Sequence, residues 1–380
     1  MEVDIAVQGR FLAFKSGRQL EKRNTLRTIY TTDPFYKGGI PNEKVVNIRS
    51  PYVIQKIGQK VPRLNNIVSN GWRKPFTQWK HILFDKIVSS KLKPAEDGIF
   101  VGYAGACLES LQKAKDLGLT TVVARLSSHI RTQKEILDKE YQEYTKKNCP
   151  ISDRYANREE KEYKRADYIM TPSKFAQESF FKRGFDKEKV KCVPFGENIP
   201  DTQQISGDTT YFIYPGSVDL RKGIQYLLPA WDSLDFSNAK LIVTGNIDES
   251  VQPIIQEYEG DDSIRFLGWV DNLYEWFGKS SVFVFPTLEE GSARVVYEAM
   301  ASGLPIITTF NSGWVGEDGK HGIEIPIRDS KSVAEAMRYL YNNPEERKQM
   351  GEKARDHIAS NFTEDDYGER IFSEYQAMVS

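Results

Sequence analysis

The sequence predicts an α/β protein with two doubly wound domains facing each other across a cleft. Three observations lead there. At 380 residues the chain exceeds what one hydrophobic core normally serves. Short, nearly continuous apolar runs alternate with helical stretches, the pattern of parallel sheets covered on both faces. Pro, Asp, Gln, Ser and Gly cluster between Asn198 and Asp208, which splits the alternation in two. The expected domains are residues 1–200 and 201–362.

In the first half, buried strands are expected at Asp4–Gln8, Arg27–Tyr30, Lys44–Ile48, Gly98–Gly102, Thr120–Ala124 and Tyr168–Met170. Leu108–Leu117 reads as a helix stopped by Gly118, and Thr132–Lys147 as a long charged one. The stretch from Pro51 to Lys93 carries no clear period. In the second half, strands are expected at Tyr211–Tyr214, Lys240–Thr244, Ile264–Leu267, Val282–Phe285 and Pro305–Thr308. Helices are expected from Gly223, from Asp271 and over about Ser292–Ser302. Val333, Ala336, Met337 and Leu340 recur at helical spacing behind a cap at Asp329 or Ser330.

Composition narrows the class. Hydrophobic content of 39% and charged content of 28% are those of a soluble globular chain. No apolar run approaches the roughly 18 residues of a membrane span. The start Met-Glu-Val-Asp-Ile lacks the basic and apolar regions of a secretory signal, and Cys107, Cys149 and Cys192 lack metal-ligand spacing, so a cytoplasmic chain is expected. The net charge of −1 conceals an asymmetry: Met1–Pro200 holds 37 basic and 23 acidic residues, Asp201–Ser380 holds 15 and 30. Two readings stand: solvated faces of opposite sign, or a basic first half that meets an anionic acceptor or a membrane surface. No motif accompanies the charge that would make nucleic acid a partner.

In open parallel sheets, ligands sit at the carboxyl ends of strands, so the loops after strands carry the information. The strongest segment runs from Pro286 to Pro305. A strand ends, a loop carries Glu289 and Glu290, and a helix is expected from Gly291 or Ser292. Backbone N–H groups and the dipole at a helix start suit a phosphate, and Gly291 would let a ligand approach the backbone closely. Glu290 and Glu298, eight residues apart, would lie about 12 Å apart along a helix, enough to grip hydroxyls at both ends of a diphosphate. A second loop, Tyr214-Pro-Gly216-Ser217-Val-Asp-Leu-Arg221-Lys222-Gly223, offers fixed positive charge.

The segment Pro286–Pro305 resembles the retaining group 1 (family 4) glycosyltransferases. Their mark is Glu-x7-Glu within Pro-Ser-x-x-Glu-Gly-Phe-Gly-…-Glu-Ala-Met-Ala-x-Gly-x-Pro. Pro286, Glu290, Gly291, Glu298, Ala299, Met300, Ala301, Gly303 and Pro305 match it. The resemblance implies the two-Rossmann architecture called GT-B, with the last helix, about 363–380, returning to the first domain. It places Glu290 on the transferred sugar and Glu298 on the ribose. It sets Lys222 on the family's diphosphate lysine, and leaves Ser217 where the family has arginine, with Arg221 a candidate for the missing charge.

Gly216, Gly245, Asn246 and Val270 are implied around the phosphates and base, and Gly9 near the phosphates from the first domain. Ser292, Ala293, Arg294 and Val295 are implied to line the donor, although Ser292-Ala293-Arg294 stands where the family has Phe-Gly-Leu. His129 is implied to face the sugar, with a structural histidine as the competing reading.

Together these imply a hexosyltransferase acting with retention on a nucleotide sugar, UDP-glucose being a favoured example by family frequency. The implied acceptor is a glycan or lipid-linked molecule in cell-surface polysaccharide assembly, reached with peripheral membrane contact through the basic first domain. Neither a cofactor nor a metal is expected, since no Asp-x-Asp occurs and no His/Cys group has metal-ligand spacing. A nucleotide-sugar 2-epimerase or phosphorylase on the same fold, or a silent sugar-nucleotide-binding scaffold, are the rivals.

Overall fold

The computed structural model describes residues 1–9, 12–33, 38–49, 75–201 and 207–380, with residues 75–77 described by their backbone alone. Within them, two parallel sheets form. The first holds β1 (Glu2–Val7), β2 (Leu26–Thr31), β3 (Val45–Asn47), β4 (Gly98–Tyr103), β5 (Thr120–Ala124), β6 (Tyr168–Thr171) and β7 (Val190–Cys192), in the order β3-β2-β1-β4-β5-β6-β7. The second holds β8 (Thr210–Tyr214), β9 (Ala239–Thr244), β10 (Ile264–Gly268), β11 (Val282–Phe285), β12 (Ile306–Thr309) and β13 (Gly322–Ile325), in the order β10-β9-β8-β11-β12-β13. Each sheet is doubly wound, with its strand order reversing beside β1 and beside β8. Two such domains facing across a cleft are the GT-B architecture.

The strands are apolar on both faces because helices cover both. In β11 every residue is buried, and Val282 and Phe283 pair with Phe212 and Ile213 of β8. Each such side chain contributes about 1.5–3 kcal/mol on burial. The edge strands β7 and β13, three and four residues long, are additions to the strands expected from sequence. Both are short and carry polar or exposed residues, which hides their pattern. The unreadable stretch resolves in part: Pro75–Lys91 is a helix, while residues 51–74 lie outside the described residues.

The last helix, Glu364–Val379, opens with a capping box between Thr363 and Asp366. It packs on the first domain's helix Ala13–Lys22, where the Ser16 and Tyr367 hydroxyls bond at 2.7 Å. Lys15 pairs with Glu364 at 2.9 Å and Lys22 with Asp365 at 2.6 Å. No helix of the described residues is long and apolar enough to cross a membrane.

Candidate active site

The site stands where the second sheet's strand order reverses, between the loops that follow β8 and β11, the place where doubly wound sheets bind ligands. After β8 the chain turns through Gly216 (φ 110°) into a short 3-10 turn, Leu220–Lys222. The Asp219 side chain caps it by accepting from the Lys222 N–H. After β11 the loop 286–293 returns alongside: Leu288 N–H donates to the Arg221 carbonyl at 2.8 Å.

That pairing brings charges together. Lys222 Nζ donates to Glu290 at 2.7 Å, and Arg221 lies 3.4 Å from the same carboxylate. Burial opposes ionisation of Glu290, but Arg221 and Lys222 outweigh it and hold its carboxyl below the ordinary value. Lys222 also lies over the Phe285 ring at 5.1 Å. Glu298 differs. Burial raises its carboxyl, and Arg294 only partly offsets this from 3.3 Å away. Arg294 bonds Glu197 as well, at 3.1 Å, and Glu197 meets Lys15 of the first domain at 3.2 Å. Ser217 is exposed, while Arg221 is engaged with Glu289 and Glu290.

Several sequence expectations change here. The helix begins at Arg294, not at Gly291 or Ser292, because the preceding residues pair sideways: Glu290 N–H with Asn311 and Ala293 N–H with Ser312. The two glutamates therefore do not share one helix. The Arg294 and Val295 N–H groups have no partner among the described residues and form the helix start. Gly291 admits protein, not ligand: a Cβ there would lie 1.9 Å from the Leu126 carbonyl oxygen of the first domain.

His129 makes its contacts within the first domain. It caps the helix Ile130–Thr145 by accepting from Arg131 N–H, and its ring packs among Tyr163, Phe180 and Phe185. Burial pushes it down to about 3, aided by Arg183, Arg125 and Arg131, so it is a neutral core ring.

The other predicted residues gather at the strand ends. Gly245 (φ 112°) crosses the Gly216 turn so closely that a Cβ would lie 1.9 Å from the Gly216 oxygen. Asn246 is exposed, and its carbonyl accepts from Val218 N–H at 2.9 Å. Gly268 accepts from Gly245 N–H at 2.6 Å, with the exposed Trp269 and half-buried Val270 following. Ser292 is buried and bonds Tyr297 and the Gly313 carbonyl. Gly9 (φ 79°) follows β1, with nothing among the described residues within 4 Å of its missing Cβ.

Sequence reasoning missed Glu289, Glu197 and Asp219. The signal for the first was present: two adjacent acids after a strand cannot both face the same side.

Elsewhere, Glu317, His321 and His357 bring ligand-type atoms within 4.8 Å, a grouping that sequence spacing does not reveal. His321 Nδ1 accepts from Glu317 N–H, which leaves the proton on Nε2, and Lys320 pairs with the Glu317 carboxylate. That tautomer makes His321 a poor ligand as it stands.

With this geometry in view, residues 196–357 match the family model described as glycosyl transferases group 1. The match lies within the second domain and covers less than half of the chain. An uncharacterized glycosyltransferase of Haemophilus influenzae is 29% identical over 166 residues, 42% of this chain and 45% of that protein. The capsular polysaccharide biosynthesis glycosyltransferase CapM of Staphylococcus aureus is 27% identical over 44% of this chain and 46% of its own length. The chain thus aligns with about half the length of these relatives.

Among solved structures, sucrose-phosphate synthase from Thermosynechococcus elongatus superposes with a TM-score of 0.69 at 18% identity, covering 100% of this chain and 99% of that one. Anabaena Alr3699/HepE in complex with UDP gives 0.67 at 13% identity, over 99% and 100%. These likenesses establish the GT-B fold, while the similarity to group 1 is confined to residues 196–357.

Proposed function

We propose that the protein is a retaining, metal-independent hexosyltransferase. It takes a sugar from a nucleotide donor, UDP-linked by preference, and passes it to a glycan or lipid-linked acceptor in cell-surface polysaccharide assembly. One observation carries this: Glu290, at the switch point of the domain that matches group 1, is held by Lys222 at 2.7 Å, shortly before a helix start whose Arg294 and Val295 N–H groups have no partner among the described residues. Glu290 positions the sugar and Glu298 the ribose. As the glycosidic C–O bond breaks, Lys222 and the N–H groups of Arg294 and Val295 stabilise charge on the leaving diphosphate. The diphosphate oxygen takes the acceptor hydroxyl proton on the same face. Arg221 and Arg294 become available to phosphates once the donor displaces them from Glu290 and Glu298. The relative named for capsular polysaccharide biosynthesis and the complex of a structural neighbour with UDP support the substrate classes. The reading extends to a cytoplasmic protein with peripheral membrane contact through its basic first domain.

A thermal-shift screen of UDP-, GDP- and ADP-sugars, followed by product analysis, tests this. A UDP-sugar is expected to raise the melting temperature. Glu290→Ala should lower turnover on the order of 100-fold, and Glu298→Ala should weaken nucleotide binding on the order of tenfold. Turnover in Glu290→Ala close to wild type, or its full loss in EDTA, would refute the scheme. Product formed from donor alone would move the assignment to an epimerase.

A further inference from the structure

We infer that Glu289, the neighbour of the sugar-facing glutamate, is a positioning residue that makes assembly of the donor site depend on contact between the two domains. The inference rests on the function proposed above.

Glu289 is fully buried, yet it points away from its own domain. Its carboxylate enters a socket in the loop after β5. Ser127 Oγ donates to it at 2.5 Å, Ser128 Oγ at 2.7 Å, Ser128 N–H at 3.1 Å and Gln133 Nε2 at 2.8 Å. The socket is built in advance of its guest. Arg125 donates to the Ser128 carbonyl at 2.9 Å and to Gln133 Oε1 at 2.7 Å, which turns the Gln133 amide so that its NH2 faces Glu289. Arg125 is itself anchored by the buried Glu159 at 3.1 Å. All these groups belong to the first domain; Glu289 belongs to the second.

The contact continues on the far side of Glu290. Ser173 Oγ donates to the Gly291 carbonyl, and the Gly291 backbone lies against Leu126 with no space for a Cβ. Glu290 therefore sits between two residues clamped by the opposite domain. Arg221 ties the pair further, lying 4.0 Å from Glu289 and 3.4 Å from Glu290. Separation of the domains would free the backbone on both sides of Glu290, leaving its carboxylate held only by Lys222 and Arg221 of its own domain. Burying a carboxylate across a domain boundary is costly unless its donors are all in place, so the latch closes only in one relative position of the domains.

The test compares Glu289→Gln with Gln133→Leu, the second altering only the socket. UDP affinity is measured by calorimetry, and kcat and KM are measured with the UDP-sugar that wild type turns over. In both folded variants, kcat is expected to fall by one to two orders of magnitude while UDP affinity stays within about threefold, since misplacement by about 1 Å costs on the order of 100-fold. The double variant is expected to lose no more than the worse single one, which marks a shared role. Unchanged kcat in either folded variant overturns the inference and leaves the proposed function standing. Parallel loss of UDP affinity and kcat also overturns it, because a merely structural role predicts that. Wild type that binds no nucleotide sugar brings down the functional reading and this inference together.

Discussion

His129 places a titratable ring where water does not reach. Its Nδ1 accepts a backbone N–H, which requires the neutral form, and burial with nearby arginines holds it down to about 3. The unfolded chain, with a value near 6.5, takes up the proton first on acidification, so stability falls as pH drops from about 6.5 toward 3. At pH 5 the ring alone should cost about 2 kcal/mol relative to neutral pH. His129→Asn keeps a capping oxygen and cannot titrate. Between pH 7.5 and 5, urea unfolding should show wild type losing about 2 kcal/mol more than this variant. Equal losses would remove the ring from the account. At this scale Glu290, Glu298 and Lys222 were legible in sequence, because motif and spacing carry them. The burial of His129 was not, because its partners Tyr163, Phe180 and Phe185 are 34 to 56 residues away.

The elements that build the site are held by backbone crossings at strand ends. Gly245 combines φ 112° with a Cβ position 1.9 Å from the Gly216 oxygen, so Gly245→Ala meets both strain and a clash with backbone. Gly9→Ala meets strain alone, since nothing among the described residues lies within 4 Å. Thermal unfolding should show a loss of about 3 kcal/mol or more for Gly245→Ala and about 1–2 kcal/mol for Gly9→Ala. Similar losses would show that the β8 and β9 loops can separate without cost. The central strands were readable because each is apolar throughout. The start of the helix Arg294–Ala301 was not: the N–H groups of Glu290 and Ala293 pair with Asn311 and Ser312, a pairing that no local period encodes.

Across the whole molecule, the domains are joined by buried charge as well as by the linker. Glu140, fully buried on the first domain's helix Ile130–Thr145, accepts from Arg328, Gln225 and Tyr226 of the second domain. Arg328→Met leaves that carboxylate without its cation, and chemical unfolding should show a loss of about 3–5 kcal/mol. Adding Glu140→Gln should recover part of it; no recovery would mean that the pair does not act as a unit. The charge asymmetry of the sequence also changes meaning at this scale. Lys15, Lys22 and Arg23 of the basic half are paired with Glu364, Asp365 and Glu369 of the last helix, so part of the asymmetry is satisfied within the molecule.

The sequence by itself determined the two α/β domains, the loop that carries Glu290, and that loop's resemblance to the group 1 glycosyltransferases. These depend on local pattern: apolar runs of strand length, and a motif confined to about twenty consecutive residues. Only the tertiary structure decided that Glu289 turns into the opposite domain, that Gly291 is a glycine for the sake of Leu126, and that His129 belongs to the core. The first two depend on which loops meet across the cleft, between residues over 100 positions apart, and the third on packing within the first domain, between residues 34 to 56 positions apart. Neither hydrophobic period nor motif spacing records such contacts.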